Sequence, residues 1–377
     1  MRIAVPGEAA EAEARVAVTP ETVRKLIGLG AEVAVRAGAG LRSGILDADY
    51  AAAGAAVRER DIVAEADVVL CVRRPEPAAL RSVRPGALVI GIMDPYGQDE
   101  ALRALAATGA TCLAMELMPR ITRAQAMDVL SSQANLAGYR AVIDAAEQYG
   151  RAIPMMMTAA GTVPAAKVFV MGVGVAGLQA IATARRLGAI VTATDVRPAT
   201  KEQVESLGAK FVAVEDEEFR QAETSGGYAK EMSDAYRAKQ AALVASHIAK
   251  QDIVITTALI PGRPAPKLVS ADMVRAMRPG SVVMDLAVER GGNCELSRPD
   301  EVVTSDGVKI VGYSNMAGRL AATASSLYAR NLFAFVETLI DKDAKAVRVE
   351  AGDELVKATC LTRDGAVVHP SFQPKAA

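Results

Sequence analysis

Residues 167–197 read KVFVMGVGVAGLQAIATARRLGAIVTATDVR, and they carry the clearest fold signal in the chain. An apolar run of strand length leads into Gly172, Gly174 and Gly177, which have the spacing G-x-G-x-x-G, and a helical segment and a second apolar run follow. In such a unit the first glycine permits a tight turn, the second leaves room for a pyrophosphate, and the third lets helix and strand pack closely. The stretch predicts a nucleotide-binding βαβ unit.

The residues that flank the glycines predict how a dinucleotide is held. The helix is expected to begin near Val175 and Ala176, where free backbone N–H groups and the helix dipole favour an anion. Asp195 ends the second apolar run, and a carboxylate there can accept hydrogen bonds from a ribose 2′-OH and repels a 2′-phosphate. The pattern therefore favours NAD(H) over NADP(H), and Val196 and Arg197, which follow directly, are counted with the cofactor-binding residues.

The composition excludes several classes of protein. A chain of 377 residues is long enough for two or three domains, and half of it is hydrophobic. Lys plus Arg is 43 against 44 for Asp plus Glu, a net charge of −1 that indicates neither nucleic-acid binding nor a polybasic membrane tether. No uninterrupted apolar run reaches about 18 residues, so we expect no membrane span. The start, MRIAVPGE, lacks the features of a signal peptide.

The cysteines and histidines indicate no metal site. The four cysteines have no C-x-x-C spacing, and the two histidines have no Cys or His partner at metal-ligand spacing. They are Cys71, Cys112, Cys294, Cys360, His247 and His369. We expect buried thiols in a reducing cytoplasm and neither a zinc site nor a histidine-based triad.

Apolar runs of strand length recur along the chain and predict an α/β fold with two Rossmann-like, doubly wound parallel sheets. The strands are expected at 2–5, 31–36, 66–72, 87–92, 111–117, 167–171, 190–194, 210–214, 252–256, 281–285 and 308–312. One domain would comprise 1–133 plus 318–377, and the NAD(H)-binding domain 134–317. Long helices near 124–147 and 319–339 would join them, with a cleft between. The tail 354–370 is expected to form a hairpin that turns at Asp364-Gly365.

Residues 215–236 interrupt the α/β alternation. The segment is polar and charged, and Gly226-Gly227-Tyr228 lies near its middle. A glycine pair before an aromatic residue suits a mobile loop that closes over a ligand, and a solvated insertion explains it equally well.

Residues 115–140 carry a polar cluster among apolar neighbours, formed by Arg120, Gln125, Asp128 and Ser131. The last three have the spacing i, i+3, i+6, which would place them on roughly one helical face. Such a face can hydrogen-bond a carboxamide, a ribose or a neighbouring peptide. On these residues alone a capped, partly solvated helix start is the simpler interpretation.

With these motifs in view, the chain resembles a known family over nearly its whole length. The segments MELMPRITRAQAMDVLSSQANLAGYRAVIDAA, TKEQVESLGAKF, GGYAKEM, TTALIPGRPAPKLV and SVVMDLAVERGGNCELS are similar to the NAD(H)-binding domain I of proton-translocating nicotinamide nucleotide transhydrogenase. The resemblance implies that the glycine loop holds NAD(H), that Leu259 lines the adenosine side, and that Gly227 and Tyr228 belong to a mobile lid. It also implies that the polar cluster at 120–131 positions the dihydronicotinamide, against the simpler interpretation.

The resemblance further implies an activity and partners. Hydride would pass directly from NADH to NADP⁺, so that no nucleophile or general base is required and catalysis rests on positioning. NADP(H) would be held only by the NADP(H)-binding domain of a beta subunit. Membrane-spanning subunits would couple the reaction to proton translocation. The chain would be a homodimer in the cytoplasm, attached peripherally to the inner face of the cell membrane through these partners.

Two alternatives stay open. Alanine dehydrogenase shares the architecture and the opening ARVAVTPE around Arg15, but Arg73 stands where that enzyme carries a substrate-binding lysine. Asp94 stands about where its catalytic histidine is expected, and Glu289 where an aspartate is expected. The third interpretation is a module that binds NADH without chemistry.

Overall fold

A computed structural model describes residues 1–60, 62–220 and 232–373. The chain divides into two compact units, of which the first comprises Met1–Gln133 and Ala317–Ala377 and the second Ala134–Met316. Within the described ranges, every helix is too short or too polar to cross a membrane.

The first stretch of the chain, up to residue 133, alternates strands and helices. Its strands are β1 Arg2–Val5, β2 Glu32–Arg36, β3 Ala56–Arg58, β4 Val68–Arg73, β5 Leu88–Ile92 and β6 Thr111–Ala114. Its helices are α1 Pro20–Gly28, α2 Asp47–Ala52 and α3 Asp99–Ala106, with 3₁₀ turns at Leu41–Ser43, Pro77–Leu80, Met115–Leu117 and Thr122–Met127. The strand β3 was not expected from the sequence, because it is only three residues long.

The middle stretch begins with α4 Val129–Gln148 and continues with the hairpin of β7 Met156–Thr158 and β8 Gly161–Val163. The strands that follow are β9 Lys167–Met171, β10 Ile190–Thr194, β11 Lys210–Phe211, β12 Ile253–Thr256, β13 Val282–Asp285, β14 Val302–Ser305 and β15 Val308–Val311. The helices are α5 Val175–Arg186, α6 Thr200–Ser206, α7 Glu217–Arg220, α8 Asp234–Ile248 and α9 Ala271–Arg275, with a 3₁₀ turn at Val288–Arg290.

The last stretch returns to the first unit. A 3₁₀ turn at Gly318–Leu320 leads into α10 Ala321–Thr338, and β16 Ile340–Asp341, β17 Ala346–Val347, α11 Glu354–Thr359, β18 Cys360–Arg363 and β19 Ala366–Val367 follow. The predicted hairpin that turns at Asp364-Gly365 is confirmed by the pairing of β18 with β19. Its first six residues are helical, however, because Asp353 caps α11 through a hydrogen bond from the Leu355 N–H.

The sheet of the second unit has the order β11-β10-β9-β12-β13-β15-β14. The chain winds outward from β9 to β11, returns to β12 on the other side of β9, and winds outward again, so the order reverses at β9. All strands are parallel except β14, an added strand that runs antiparallel to β15. In open sheets of this kind ligands bind at the carboxyl ends of the strands where the order reverses, which here is where the glycine loop follows β9.

The sheet of the first unit has the order β19-β18-β6-β5-β4-β1-β2-β3. Its six parallel strands therefore repeat the winding of the second unit, and β18 and β19 add an antiparallel edge. The predicted α/β class with two doubly wound sheets is confirmed.

Alternation of side chains across each strand explains the apolar runs. In β9, Val168 and Val170 join an apolar cluster with Ile181 of α5, whereas Phe169 and Met171 join a separate cluster on the other face of the sheet. Because helices cover both faces, every position of β9 after Lys167 is buried.

Candidate functional site

The glycine loop after β9 needs each of its three glycines for a different reason. Gly172 has φ +98, and a Cβ there would lie 2.7 Å from the hydroxyl oxygen of Thr257. A Cβ on Gly177 would lie 1.9 Å from the carbonyl oxygen of Gly172, so this glycine permits the close approach of loop and helix. A Cβ on Gly174 would meet no atom within 4 Å, so the space beside it is open. The loop has the tight turn, close packing and open approach that a pyrophosphate requires.

The helix α5 presents its N-terminus at this open space. Gly174 is its cap residue, and no side chain in the described part of the chain caps the first turn. The first helical hydrogen bond runs from the Leu178 N–H to the Gly174 carbonyl, and the N–H groups of Val175 and Ala176 precede it. Those N–H groups and the positive end of the helix dipole form an anion-binding site.

Asp195 lies directly after β10, and its side chain is 7% exposed. Its Oδ2 accepts a hydrogen bond from the Val173 N–H in the glycine loop, at 2.7 Å. The Arg197 N–H and Nε both donate to Oδ1 at 2.9 Å, and Arg197 Nη2 donates to Oδ2 at 3.0 Å. The structure thus brings Asp195, Arg197 and the glycine loop together, whereas the side chain of Val196 is exposed.

Sequence reasoning missed the residues that support the loop. Thr257 donates its hydroxyl to the Gly172 carbonyl at 2.9 Å. Asn293 is fully buried, accepts the Ala258 N–H at 3.0 Å, and donates to the Ala258 and Pro266 carbonyls at 2.8 Å. Asn293 therefore fixes the segment that carries Leu259, whose side chain is exposed. Both residues belong to motifs that carry the family resemblance, but no spacing reveals which carbonyl a buried amide will bind.

Gly138 is a further residue that the sequence reasoning missed. A Cβ at this position of α4 would lie 2.0 Å from the carbonyl oxygen of Ala176, in the first turn of α5. Glycine is required here because the two helices cross with their backbones in contact.

The polar cluster at 120–131 does not lie on one helical face, as the i, i+3, i+6 spacing predicted. Gln125 lies in the 3₁₀ turn, Asp128 is non-helical, and α4 begins only at Val129. Asp128 caps this helix, because its carboxylate accepts the Ser131 N–H at 2.9 Å and the Ser131 hydroxyl at 2.5 Å. Asp128 and Ser131 are thus in contact, whereas Arg120 and Gln125 are exposed.

Two predicted site residues, Gly227 and Tyr228, lie outside the described residues. Among the residues that the structure does describe, no group of three or more His, Cys, Asp or Glu side chains is placed to hold a metal ion.

Arg15 and Arg73, both singled out in the comparison with alanine dehydrogenase, bind one carboxylate in the first unit. The Arg15 guanidinium donates to both oxygens of Glu13 at 2.7 Å, and Arg73 Nε donates to Glu13 Oε2 at 2.7 Å. Arg15 also donates to Gln133 at 2.9 Å. Burial opposes the charge on Glu13, but the two arginines outweigh it and lower the pKa of Glu13 to about 2. Each of the two cations therefore already has a carboxylate partner.

Two more glutamates occupy the strand ends of the first sheet. Glu8 accepts the Val72 and Arg73 N–H groups at the end of β4, at 2.6 and 3.2 Å. Glu116 accepts the Met93 N–H at 2.8 Å just after β5. Burial raises the pKa of both carboxyls, although these backbone hydrogen bonds partly offset it. At this edge of the sheet, where ligands commonly bind, these backbone N–H groups bind the chain's own glutamates.

Asp94 and Glu289, the other two residues that depart from the alanine dehydrogenase pattern, also form hydrogen bonds. Asp94 has φ +46 and donates its N–H to Glu116 at 2.5 Å. Glu289 accepts the Asn315 N–H at 3.3 Å in the second unit.

The chain is similar to known proteins over nearly its whole length. The family model for the N-terminal domain of alanine dehydrogenase/PNT matches residues 4–137, and that for the C-terminal domain matches residues 141–370. An NAD(P) transhydrogenase alpha-subunit chain of Rhodospirillum rubrum is 55% identical over 379 residues, which cover 99% of each chain. An alanine dehydrogenase of Halomonas elongata is 30% identical and covers 98% of this chain and 95% of its own length. The crystal structure of transhydrogenase from Sinorhizobium meliloti is 61% identical with a TM-score of 0.90, and the match covers 98% of this chain and 100% of that one.

Proposed function

The chain belongs to the alanine dehydrogenase/PNT family, and we propose that within it this protein is the NAD(H)-binding component of a proton-translocating NAD(P) transhydrogenase. The family membership implies that it binds a nicotinamide nucleotide. The identity of 55% to the Rhodospirillum rubrum transhydrogenase chain, against 30% to the Halomonas elongata alanine dehydrogenase, supports the first activity over the second.

The second unit would hold NAD(H). The N–H groups of Val175 and Ala176 are suited to the pyrophosphate, and the open space beside Gly174 lets it approach the backbone. Asp195 would accept hydrogen bonds from the adenosine ribose, and Leu259 would line the adenosine. Gly227 and Tyr228 would belong to the lid that covers the bound nucleotide.

The proposed reaction requires no nucleophile or general base from the protein. When bound, NADH supplies a hydride that passes directly to NADP⁺ held on the partner domain, and no proton is moved at the reacting carbons. The side chains of Arg120, Gln125, Asp128 and Ser131 would orient the dihydronicotinamide. The cap that Asp128 forms with Ser131 supports this role, because it holds the carboxylate in one direction.

One observation in the first unit carries the choice between the two activities. An amino-acid dehydrogenase needs a cation for its substrate's carboxylate and a group that transfers a proton. Arg15 and Arg73 both bind Glu13, so each is already engaged by a carboxylate of the protein itself. Asp94, in place of the expected histidine, is fixed through its backbone to Glu116. This arrangement supports hydride transfer between nucleotides rather than oxidation of an amino acid.

The partners follow from the activity. The NADP(H)-binding domain would come from the beta subunit, and membrane-spanning subunits would couple hydride transfer to proton translocation. The chain would act as a homodimer, attached through these partners to the cytoplasmic face of the membrane.

A hydride-transfer assay tests the proposal. The purified chain is mixed with a transhydrogenase NADP(H)-binding domain, NADH and an NADP⁺ analogue whose reduced form absorbs at its own wavelength. In parallel, the chain alone receives L-alanine and NAD⁺. We expect rapid reduction of the analogue in the mixture and no alanine oxidation. Alanine oxidation by the chain alone would replace the proposal with an amino-acid dehydrogenase, and NADH binding without transfer in the mixture would leave a non-catalytic module.

A further inference from the structure

The carboxylate of Asp195 already has a full set of hydrogen-bond donors. A carboxylate offers about four lone-pair positions, two on each oxygen. Oδ1 receives the Arg197 N–H and Nε, and Oδ2 receives the Val173 N–H and Arg197 Nη2, all at 2.7 to 3.0 Å. A ribose hydroxyl can therefore donate to Asp195 only when one of these donors leaves.

The two kinds of donor differ in how readily they can leave. The Val173 and Arg197 N–H groups are backbone atoms of the glycine loop and of the turn after β10, so their release would require that the loop or the turn refold. The Arg197 guanidinium is held by rotatable bonds, and its side chain is 33% exposed. Its contact with the Val173 carbonyl, at 3.3 Å, is a long one. The guanidinium is thus the donor that can move aside.

The pair also changes the charge that a nucleotide meets. Asp195 alone would repel a 2′-phosphate, which is the usual basis for preferring NAD(H). The Arg197 guanidinium cancels that charge at a distance of 2.9 Å, and a guanidinium is itself a good partner for a phosphate. Arg197, two residues after Asp195, therefore opposes the preference for NAD(H) that Asp195 alone would give.

We propose that Arg197 is an internal competitor for the ribose site, displaced from Asp195 when NAD(H) binds, and that it sets both the affinity for NAD(H) and the discrimination against NADP(H). This inference rests on the proposed function, since it takes the adenosine ribose to bind at Asp195. It assigns to Arg197 a role opposite to that of an ordinary ligand: its presence weakens the binding of NADH.

Nucleotide titrations of the full chain test this role. The dissociation constants of NADH and NADPH are measured for the unchanged chain, Arg197→Ala, Asp195→Asn and the double variant. Removal of the guanidinium should tighten NADH and weaken NADPH, so that the ratio of the NADPH constant to the NADH constant rises about tenfold, the size of one charge-assisted hydrogen bond. In Asp195→Asn the ratio should fall, and on that background Arg197→Ala should no longer tighten NADH, because no carboxylate is left for which Arg197 competes.

Matched variants separate this role from simpler ones. Arg186→Ala removes an exposed positive charge at the far end of α5 and should leave the ratio unchanged. Arg197→Lys keeps the charge but lacks the planar fork that donates to both oxygens of Asp195, so it should raise the ratio by less than Arg197→Ala. The lysine variant also tests the role if the alanine variant folds poorly. Weaker NADH binding by Arg197→Ala would overturn the inference and make Arg197 a direct ligand. Failure of the unchanged chain to bind NADH would instead refute the proposed function.

Discussion

The two sheets of this protein have the same winding, yet their carboxyl edges differ in what fills them. In the second unit the strand order reverses at β9, and the loop that follows ends in a helix whose first turn no side chain of the described chain caps. In the first unit the order reverses at β1, beside β4, and Glu8 accepts the N–H groups at the end of β4. The edge of the second unit offers backbone N–H groups to a ligand, whereas at the edge of the first unit such groups bind the chain's own glutamates. The fold provides the edge, and a few side chains decide whether it is a site.

The carboxyl edge of the first unit's sheet, called the first edge below, also contains ion pairs within the protein. Glu13 is 1% exposed and holds two guanidinium groups, of which that of Arg15 is 5% exposed. A buried ion pair of this kind is costly to break, because removal of one partner leaves a desolvated charge behind. Changes at the two edges should therefore have different consequences: loss of ligand binding in the second unit and loss of stability in the first.

The largest effect is expected from Gly177→Ala. The added Cβ would overlap the Gly172 carbonyl, so the loop must move and NADH binding should weaken about 1,000-fold, or about 4 kcal/mol. Gly174→Ala is the matched control, because its φ of −79 suits alanine and its Cβ would point into open space. It should leave stability unchanged and weaken NADH by about tenfold, since the methyl group stands where the pyrophosphate approaches. Titration with NADH and thermal unfolding separate the two variants.

Equal losses of NADH binding in Gly177→Ala and Gly174→Ala, with equal stability, would contradict this assignment of the two glycines. The loop would then tolerate both methyl groups alike, and the distinction between a packing glycine and a glycine that faces the ligand would be wrong.

The second effect is a loss of stability at the first edge. A pKa lowered from 4.5 to about 2 corresponds to about 3 kcal/mol of stabilisation at neutral pH, so Glu13→Gln should lower the free energy of unfolding by about that amount. Glu21 provides the control: its pKa is also about 2, held down by Arg330 and Lys25, but its side chain is 40% exposed. Solvent screens such pairs, so Glu21→Gln should cost under about 1 kcal/mol. Urea unfolding at pH 7 measures both, and similar losses would show that burial is not what matters.

Sequence reasoning succeeded where a single local rule determines the structure. The glycine spacing and the apolar runs on either side correctly predicted β9, α5 and β10, because turn geometry and side-chain alternation act within a few residues. The doubly wound class also followed, since parallel strands with helical crossovers leave few windings.

Sequence reasoning failed where the structure depends on which hydrogen-bond partners a polar side chain takes. The spacing of Gln125, Asp128 and Ser131 predicted one helical face, but Asp128 accepts hydrogen bonds from Ser131 and so starts the helix instead. Glu13 was not singled out at all: Arg15 is its near neighbour, but its second partner, Arg73, lies 60 residues away. The competition at Asp195 was equally hidden, although Arg197 is its near neighbour, because a sequence does not show which donors fill a carboxylate.

The third effect is a slower hydride transfer, and it tests whether Asp128 of the first unit contributes to catalysis. Asp128→Asn keeps a good helix cap, so stability should change little, but it removes the carboxylate charge. We expect hydride transfer to slow about tenfold, with NADH affinity changed by less than about twofold. Stopped-flow transfer rates and NADH titrations give the two quantities. Ser131→Ala, which removes one of the two hydrogen bonds to Asp128, should slow transfer less. If binding and transfer fall equally, Asp128 has a plain binding role.

The smallest effect is a pH dependence of the free energy of unfolding, whose sign should differ between Glu116 and Glu13. Glu116 is a second carboxyl at this edge, and burial raises its pKa, because the hydrogen bonds from the Met93 and Asp94 N–H groups offset the loss of solvent only in part. A raised pKa stabilises the folded state fully below pH 4.5, and this stabilisation is lost as the pH rises through the folded pKa. Glu116→Gln removes that dependence, so the stability advantage of the unchanged chain over this variant should grow as the pH falls from 7 towards 4.5.

Glu13 should behave in the opposite way. Its lowered pKa gives stability that is present above pH 4.5 and lost as the pH falls towards 2, so the advantage of the unchanged chain over Glu13→Gln should shrink across that range. Urea unfolding of the three proteins between pH 2 and 7 compares the slopes. Slopes of the same sign would mean that the arginines do not determine the charge on Glu13. Opposite slopes would show that one buried edge contains two kinds of carboxyl: one that arginines keep charged, and one that only the backbone solvates.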